Sequence, residues 1–455
     1  MVQTLQRYPI KPLECWAKMK ELRRAHHVHN EQTANSGGMV AVGIIEEFQP
    51  LMAGFGEYAS WQYEPRFTKM VRSYDENVAN LELLETRGYP KDLCSSLKLH
   101  LGGVYRGHLT EALEGRKPDF VFQWELCPFT MKMVQSVVEH LGGVPIVTLD
   151  LPFRYGYQSP DLQYMVDQFH IAIEEIEGIT GKKFQDELFL RALELDWETS
   201  ALWSRICVLN QAVPAPLDYR MLTSLRIPLI LDRDKPHILE FYRTVYDEVK
   251  QRVDEGISAR GVETARLLWD DFIPFFPEGQ KLLRYPEAYG AVLVGGSLPF
   301  VSFGVWDVTP DGSWVPSKTP KERGWDVRTR EDGLWSMADR YLGGEGVIRA
   351  TQVTCRPMSK GDEVLAQVRD WKADGVILGL ERRCRPSSLG GLSRMAEIQR
   401  AGVPAVDIDP STADPRELNI PAALKTLDAF MEGMGLRPIG ESRSAGAAPA
   451  GDGNE

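Results

Sequence analysis

The sequence predicts an α/β protein: two Rossmann- or flavodoxin-like domains, each built on a parallel sheet, with connecting helices. Three observations predict it. At 455 residues the chain exceeds the roughly 250–300 residues at which one hydrophobic core stops growing. Short apolar runs alternate with stretches of helical periodicity, the order that makes βαβ units. That alternation lapses into a long helical region and resumes after Gly261, which describes two sheets.

Residues 1–37 read as an N-terminal helical or contact segment. They are polar and carry His26, His27 and His29. A helix places His26 and His27 on different faces, and no acidic or cysteine partner lies close in sequence. The reading is a surface or subunit-contact helix, not a metal site. The first domain is expected over 38–220. Its strands are the apolar runs 39–45, 119–123 and 144–150. Between the last two, apolar residues at helical spacing run over 129–141 and stop at Gly142-Gly143, a common helix terminator.

A long helix follows, with Leu162, Met165, Val166, Phe169, Ile173 and Ile176 on one face and Gly178 and Gly181 at its end. A second helix starts near Asp186, with Leu188, Ala192, Leu195, Leu202, Ile206 and Leu209 near one face, and breaks at Pro214-Ala215-Pro216. Cys207 reads as a core thiol. A helical connector is expected over 221–262. The second domain, 263–437, has strand candidates at 265–269, 291–294, 375–380 and 405–409. Residues 438–455 are rich in Ala, Gly, Ser, Pro and charge and are expected to be disordered.

Composition narrows the function. The chain is 43% hydrophobic and 25% charged, with a net charge of −12. Those fractions are ordinary for a folded globular protein, and the acidity disfavours nucleic acid. No apolar run reaches the ~20 residues needed to span a bilayer. The first residues lack the apolar core of a signal peptide. The expectation is a cytoplasmic protein with no membrane and no nucleic-acid partner.

In such a compartment the six cysteines are thiols rather than disulfides. No C-x-x-C pair occurs, so zinc-ribbon and thioredoxin-like readings lose their support. Three thiols sit where doubly wound folds bind ligands, at the C-terminal ends of parallel strands. Cys127 follows the strand ending at Gln123, and Cys384 follows the strand ending at Leu380. These are matching positions of two domains, and a cleft between the domains brings them face to face. Cys94 begins a helix, where a thiol pKa tends to fall. Cys127 precedes Pro128, which fixes the turn. By spacing alone, both buried structural thiols and metal ligands stay open. Glu125, His100 and Ser95 stand near these cysteines as local proton-donor candidates, each equally readable as a hydrogen-bonding or capping residue. Arg382, Arg383 and Arg385 form a local basic patch of the kind a CoA phosphate takes.

At these residues the sequence resembles the 2-hydroxyacyl-CoA dehydratase and benzoyl-CoA reductase family, over about 39–434. The carrying stretches are Leu93-Cys94-Ser95-Ser96-Leu97-Lys98, residues 120–129 with Cys127, and Leu149-Asp150-Leu151-Pro152-Phe153. Two more are the turn Glu177-Gly178-Ile179-Thr180-Gly181-Lys182-Lys183 and the segment Ala373-Asp374-Gly375 leading to Arg383-Cys384-Arg385-Pro386. The last, with residues 401–406, looks most like benzoyl-CoA reductase B-type subunits. The resemblance implies that Cys94, Cys127 and Cys384 each bind one iron of a [4Fe–4S]-type cluster in the interdomain cleft. One iron is left open or bridged to a further ligand or cluster. Cys355 and Cys15 fall outside that pattern.

The implied function is that of an iron–sulfur subunit of an ATP-dependent benzoyl-CoA reductase. Such a subunit reduces an aromatic acyl-CoA at low potential beside a related second catalytic subunit. The resemblance also implies that electrons come from a separate ATP-hydrolysing iron–sulfur activator; this sequence has no G-x-x-x-x-G-K-S/T phosphate loop, so ATP chemistry is expected elsewhere. The alternatives are a 2-hydroxyacyl-CoA dehydratase subunit and a non-catalytic electron-relay subunit.

Overall fold

The computed structural model describes residues 5–61, 73–124, 127–150, 159–301, 303–342, 347–349, 360–384 and 388–439. Two four-stranded parallel sheets dominate it. The first contains β1 (Met39–Gly43), β2 (Tyr58–Trp61), β3 (Phe120–Trp124) and β4 (Ile146–Leu149). Their order is β2-β1-β3-β4. The second contains β5 (Ala265–Asp271), β6 (Ala291–Gly295), β10 (Gly375–Gly379) and β11 (Ala405–Ile408). Their order is β11-β10-β5-β6. In each sheet the chain lays down a strand, adds one beside it, then crosses to the opposite edge for the third and fourth. The two topologies are therefore the same. β1, β3, β5, β6 and β10 are buried along their whole length, as parallel strands covered on both faces must be. Among the described residues no helix is long and apolar enough to cross a membrane.

Every strand expected from an apolar run is present. The four-residue β2 was not anticipated. Nor was a small antiparallel sheet of β7 (Val305–Val308), β8 (Trp314–Pro316) and β9 (Val347–Arg349), in the order β8-β7-β9.

The two long helices lie as the periodicity requires, with one correction. In Ser159–Thr180 the six expected apolar residues are all buried. Gly178 lies inside this helix, and Gly181, at φ 69°, ends it. The turn that follows is built by Glu177. Its carboxylate accepts the Phe184 N–H at 2.9 Å and pairs with Lys183 at 2.7 Å. In Asp186–Leu209 the expected face is covered in part: Ala192 and Ile206 are buried, and Leu202 and Leu209 pack against a core. Leu188 is exposed, while Phe189, Leu193, Trp197 and Trp203 are buried. The reason is that this helix serves two cores. Phe189, Ala192, Leu193, Trp197 and Ala201 join the core against the first sheet. Trp203, Ile206 and Cys207 join the core against the second.

The chain also returns from the second sheet to the first. Helix Arg330–Leu342 places Leu334, Met337, Ala338 and Tyr341 in the first sheet's core. The junction is held by ions. Asp196 is fully buried between Arg233 and Arg340, both also buried, with Arg340 Nε 2.6 Å from Asp196 Oδ2. The expected tail, 438–455, lies outside the described residues from 440 onward.

The N-terminal helix is Trp16–Asn35. His26 does have an acidic partner, contrary to the reading from sequence. Its ring is buried and Nδ1 lies 2.9 Å from Asp232 Oδ2, with Asn30 at 3.0 Å from Nε2. Asp232 is distant in sequence, so only the fold brings it close. These contacts anchor the helix through His26.

Candidate functional site

Cys94 sits immediately before helix Ser95–Tyr105 as its N-cap. Backbone N–H groups of Leu97 and Ser96 favour its thiolate, as a helix start should. Burial nevertheless wins, and the charges near Glu381 and Cys127 add to it, so the thiol pKa is pushed up to about 11. The expected lowering is therefore corrected: a desolvated sulfur in an acidic setting holds its proton until a cation replaces it. The same interaction puts Cys127 within electrostatic reach of Cys94.

Cys127 caps helix Pro128–His140 with Pro128 in the first turn. Its Sγ lies 3.2 Å from Thr130 Oγ1. Cys384 follows β10 through a tight turn. Its N–H donates to the Glu381 carbonyl at 3.0 Å, and its carbonyl accepts the Ser388 N–H at 2.9 Å. Gly379, which ends β10, is required by close approach: a Cβ there would stand 1.8 Å from the Phe272 carbonyl oxygen. Because the two sheets share one topology, Cys127 and Cys384 follow the equivalent third strand of each. Both lie beside the point where the strand order reverses, where doubly wound folds open a crevice.

Contacts between the two sheets' flanking loops draw the Cys94 and Cys384 segments together. The Ala413 N–H donates to Ser95 Oγ at 3.1 Å, and Thr412 N–H donates to Glu381 Oε2 at 2.5 Å. Ala413 shares a small buried cluster with Leu81 and Leu99. Arg416 adds ion pairs to Glu85 at 2.6 Å and Asp414 at 2.7 Å. Lys98 is fully buried 3.6 Å from Glu85, and burial pulls its pKa down.

Cys94, Cys127 and Cys384 form no disulfide and stand at half-buried positions. Among the described residues no three His, Cys, Asp or Glu side chains converge closely enough for a single metal ion. An iron–sulfur cluster asks for something different. Its cysteines bind separate irons and stand farther apart than the donors of one ion. Cys94 and Cys127 are electrostatically coupled, and hydrogen bonds through Thr412 and Ala413 tie the Cys94 and Cys384 segments, an arrangement whose thiol chemistry fits such a donor set. Cys207 is fully buried in the core and its pKa is raised far up by burial. Cys15 is likewise buried. Cys355 lies outside the described residues.

The other expectations near the site fare unevenly. Burial holds His100 down to about 4, so it is neutral at pH 7 and a poor proton source. Ser95 spends its hydroxyl as an acceptor for Ala413. Glu125 lies outside the described residues. The basic patch is not free for a phosphate. Arg383 is already engaged by Glu381 at 3.0 Å, by Asp409 at 3.7 Å and by Glu417. Arg382 is exposed, 3.5 Å from Asp409, and Arg385 lies outside the described residues.

Two acid pairs were missed from sequence. Glu46 and Glu47 follow β1, and Asp270 and Asp271 end β5, so each pair stands at the C-terminal end of the first strand of its sheet. Glu46 is pushed up to about 7 by burial and by Glu47 beside it. One carboxylate oxygen of each glutamate is buried without a hydrogen-bond partner among the described residues. Asp270 and Asp271 are instead paired with the buried Arg394, each at 2.8 Å. A doublet of acids directly after an apolar run was the available signal.

Comparison with known proteins bears on the whole chain. It is 24% identical over 376 residues to the alpha chain of the lactoyl-CoA dehydratase of Anaerotignum propionicum, covering 78% of this chain and 81% of that one. It is 23% identical over 329 residues to the alpha chain of the (R)-2-hydroxyglutaryl-CoA dehydratase of Acidaminococcus fermentans, covering 70% of this chain and only 60% of that one. It is also 24% identical over 380 residues to the B-type subunit of the benzoyl-CoA reductase of Thauera aromatica, covering 79% and 80%. The model of the 2-hydroxyglutaryl-CoA dehydratase D-component family matches residues 51–434, a span that takes in the whole second sheet, every strand of the first except β1, and all three strand-end or helix-cap cysteines, and the chain belongs to that family.

Proposed function

We propose that this chain is the iron–sulfur subunit of a cytoplasmic enzyme that drives low-potential electrons into an acyl-CoA thioester. Cys94, Cys127 and Cys384 are its cluster ligands. The observation that supports the reading is that Cys127 and Cys384 follow the equivalent third strand of two sheets of identical topology, with the Cys94 and Cys384 segments tied by hydrogen bonds. When bound, a [4Fe–4S]-type cluster supplies the one-electron chemistry. The protein's part is to hold the sulfurs, limit water and set local charge, which together govern cluster potential. The buried, protonated Cys94 thiol releases its proton on metal binding. Burial around Cys94, Ser95 and Glu381 keeps water from the sulfurs. A related second subunit completes the enzyme, and a separate ATP-hydrolysing iron–sulfur component delivers the electrons.

Within this class the substrate we assign is an aromatic acyl-CoA, reduced at the ring. The likeness of the segment around Cys384 to benzoyl-CoA reductase B-type subunits supports it. A second reading, dehydration of a 2-hydroxyacyl-CoA, is supported by the family description and by the names of two of the three relatives. Assays with benzoyl-CoA and a 2-hydroxyacyl-CoA, in the presence of the electron-delivering component, separate them. Turnover of the hydroxyacyl ester alone refutes the aromatic assignment.

The ligand assignment is tested by iron and acid-labile sulfide content after anaerobic purification. Cys94→Ala, Cys127→Ala and Cys384→Ala should each lose most of the iron held by the wild type. Unchanged iron in any of them removes that residue from the ligand set.

A further inference from the structure

Glu381 stands on a path of hydrogen bonds that runs from one cysteine segment to another. It lies two residues past β10 and is 1% exposed. Its backbone carbonyl accepts the Cys384 N–H at 3.0 Å. One carboxylate oxygen accepts from Arg383 N–H at 3.2 Å and from Arg383 Nη1 at 3.0 Å. The other accepts the Thr412 N–H at 2.5 Å. The next residue, Ala413, donates to Ser95 Oγ at 3.1 Å, and Ser95 adjoins Cys94. The path therefore reads Cys94–Ser95, Ala413–Thr412, Glu381, Cys384, with the Glu381 carboxylate as its centre.

We propose that Glu381 is the positioning residue that sets the Cys94 and Cys384 segments against each other and places a fixed negative charge beside the centre they hold. The proposal rests on the cluster reading above. Three physical points carry it. A buried carboxylate is costly unless several donors satisfy it, and Glu381 has three N–H donors from two segments. Its only cationic partner among the described residues, Arg383, is shared with Asp409 and Glu417, so the surroundings stay acidic. And the carboxylate is joined through the Thr412–Ala413 backbone to the Ser95 hydroxyl, next to Cys94. Negative charge close to a cluster disfavours the added electron and lowers its potential.

Two variants of the full chain, purified anaerobically with its partner subunit, test this. Glu381→Gln keeps a carbonyl oxygen for the Thr412 N–H and removes the charge. Its iron and sulfide content should match wild type. In a redox titration followed by electron paramagnetic resonance, its midpoint potential should rise. The expected change in the reduced-to-oxidised ratio at fixed potential is at least about tenfold, roughly 59 mV for one electron. A wild-type potential overturns the charge role. Glu381→Ala removes the bridge. Its iron content should fall severalfold, and the Thr412 and Ala413 amides should exchange hydrogen at least about tenfold faster. Wild-type exchange at those amides overturns the positioning role. A wild type that binds no iron instead refutes the cluster reading and the charge role with it; the exchange measurement still decides the positioning role.

Discussion

Asp196→Ala should cost the protein about 4 kcal/mol. The carboxylate is fully buried and lies between two guanidiniums, those of Arg233 and Arg340, which are themselves fully or almost fully buried. Removing one partner of a buried ion pair typically costs ~3–5 kcal/mol, because the remaining charge is stranded away from water. Here two cations lose their partner, which pushes the cost to the top of that range. Three features pull it back. The Glu47 carboxylate is nearby and acts on both arginines, Arg233 also donates to the Leu229 carbonyl at 3.2 Å, and Arg340 Nη2 also donates to Ser200 Oγ at 3.0 Å. At ~2.1 cal/mol/K of unfolding entropy per residue, one cooperative unit of this length shifts by about 1 °C per kcal/mol, so the melting temperature should drop by about 4 °C. Scanning calorimetry on wild type and variant measures it. A companion, Asp196→Asn, keeps one acceptor and should lose about half as much. A loss below about 1 kcal/mol for Asp196→Ala would refute the account, since the residue would then not be neutralising those cations.

Three further outcomes are expected. The Glu46 carboxyl is raised in the folded protein to about 7 from 4.5, so the folded state binds this proton more tightly than the unfolded chain. Stability therefore falls as pH rises through that window, by roughly 3 kcal/mol. Glu46→Gln should be more stable than wild type at pH 8 and much less so at pH 5, and parallel denaturation curves at both pH values would contradict this. Gly379→Ala forces a methyl group against the Phe272 carbonyl oxygen. It should shift the Cys384 turn and at least halve iron content, and wild-type iron would show that the turn tolerates displacement. Cys207→Ala should cost roughly 1–2 kcal/mol as a core truncation and leave iron unchanged, with iron loss marking Cys207 as a ligand.

The strands were legible because a parallel strand covered on both faces must be apolar throughout, as 39–43, 291–295 and 375–379 are. β2 escaped notice because its four residues mix Ala59 and Ser60 with two aromatics. The face of helix Asp186–Leu209 was read only in part because periodicity assumes one buried side, and this helix is covered by two cores. Cys127 and Cys384 were legible as strand-end residues of two sheets, which needs only local pattern. The bridge through Glu381 was not, since its bond to Thr412 spans 31 residues and that of Ala413 to Ser95 spans 318. Nothing local marks such partners. The depression of the Cys94 pKa was anticipated from its helix start and failed because burial, a tertiary effect, outweighs the helix dipole.

Helix Asp186–Leu209 acts as a beam. Its 24 residues span about 36 Å at 1.5 Å per residue, and its two ends are embedded in different cores. Any hinge that widened the crevice would have to bend this beam or tear one end from its seat. The Asp196 ion network and the returning helix Arg330–Leu342 brace it further. The two halves should therefore move as one stiff frame and unfold in a single cooperative step. For the proposed cluster such a frame would hold its sulfur ligands at constant separation.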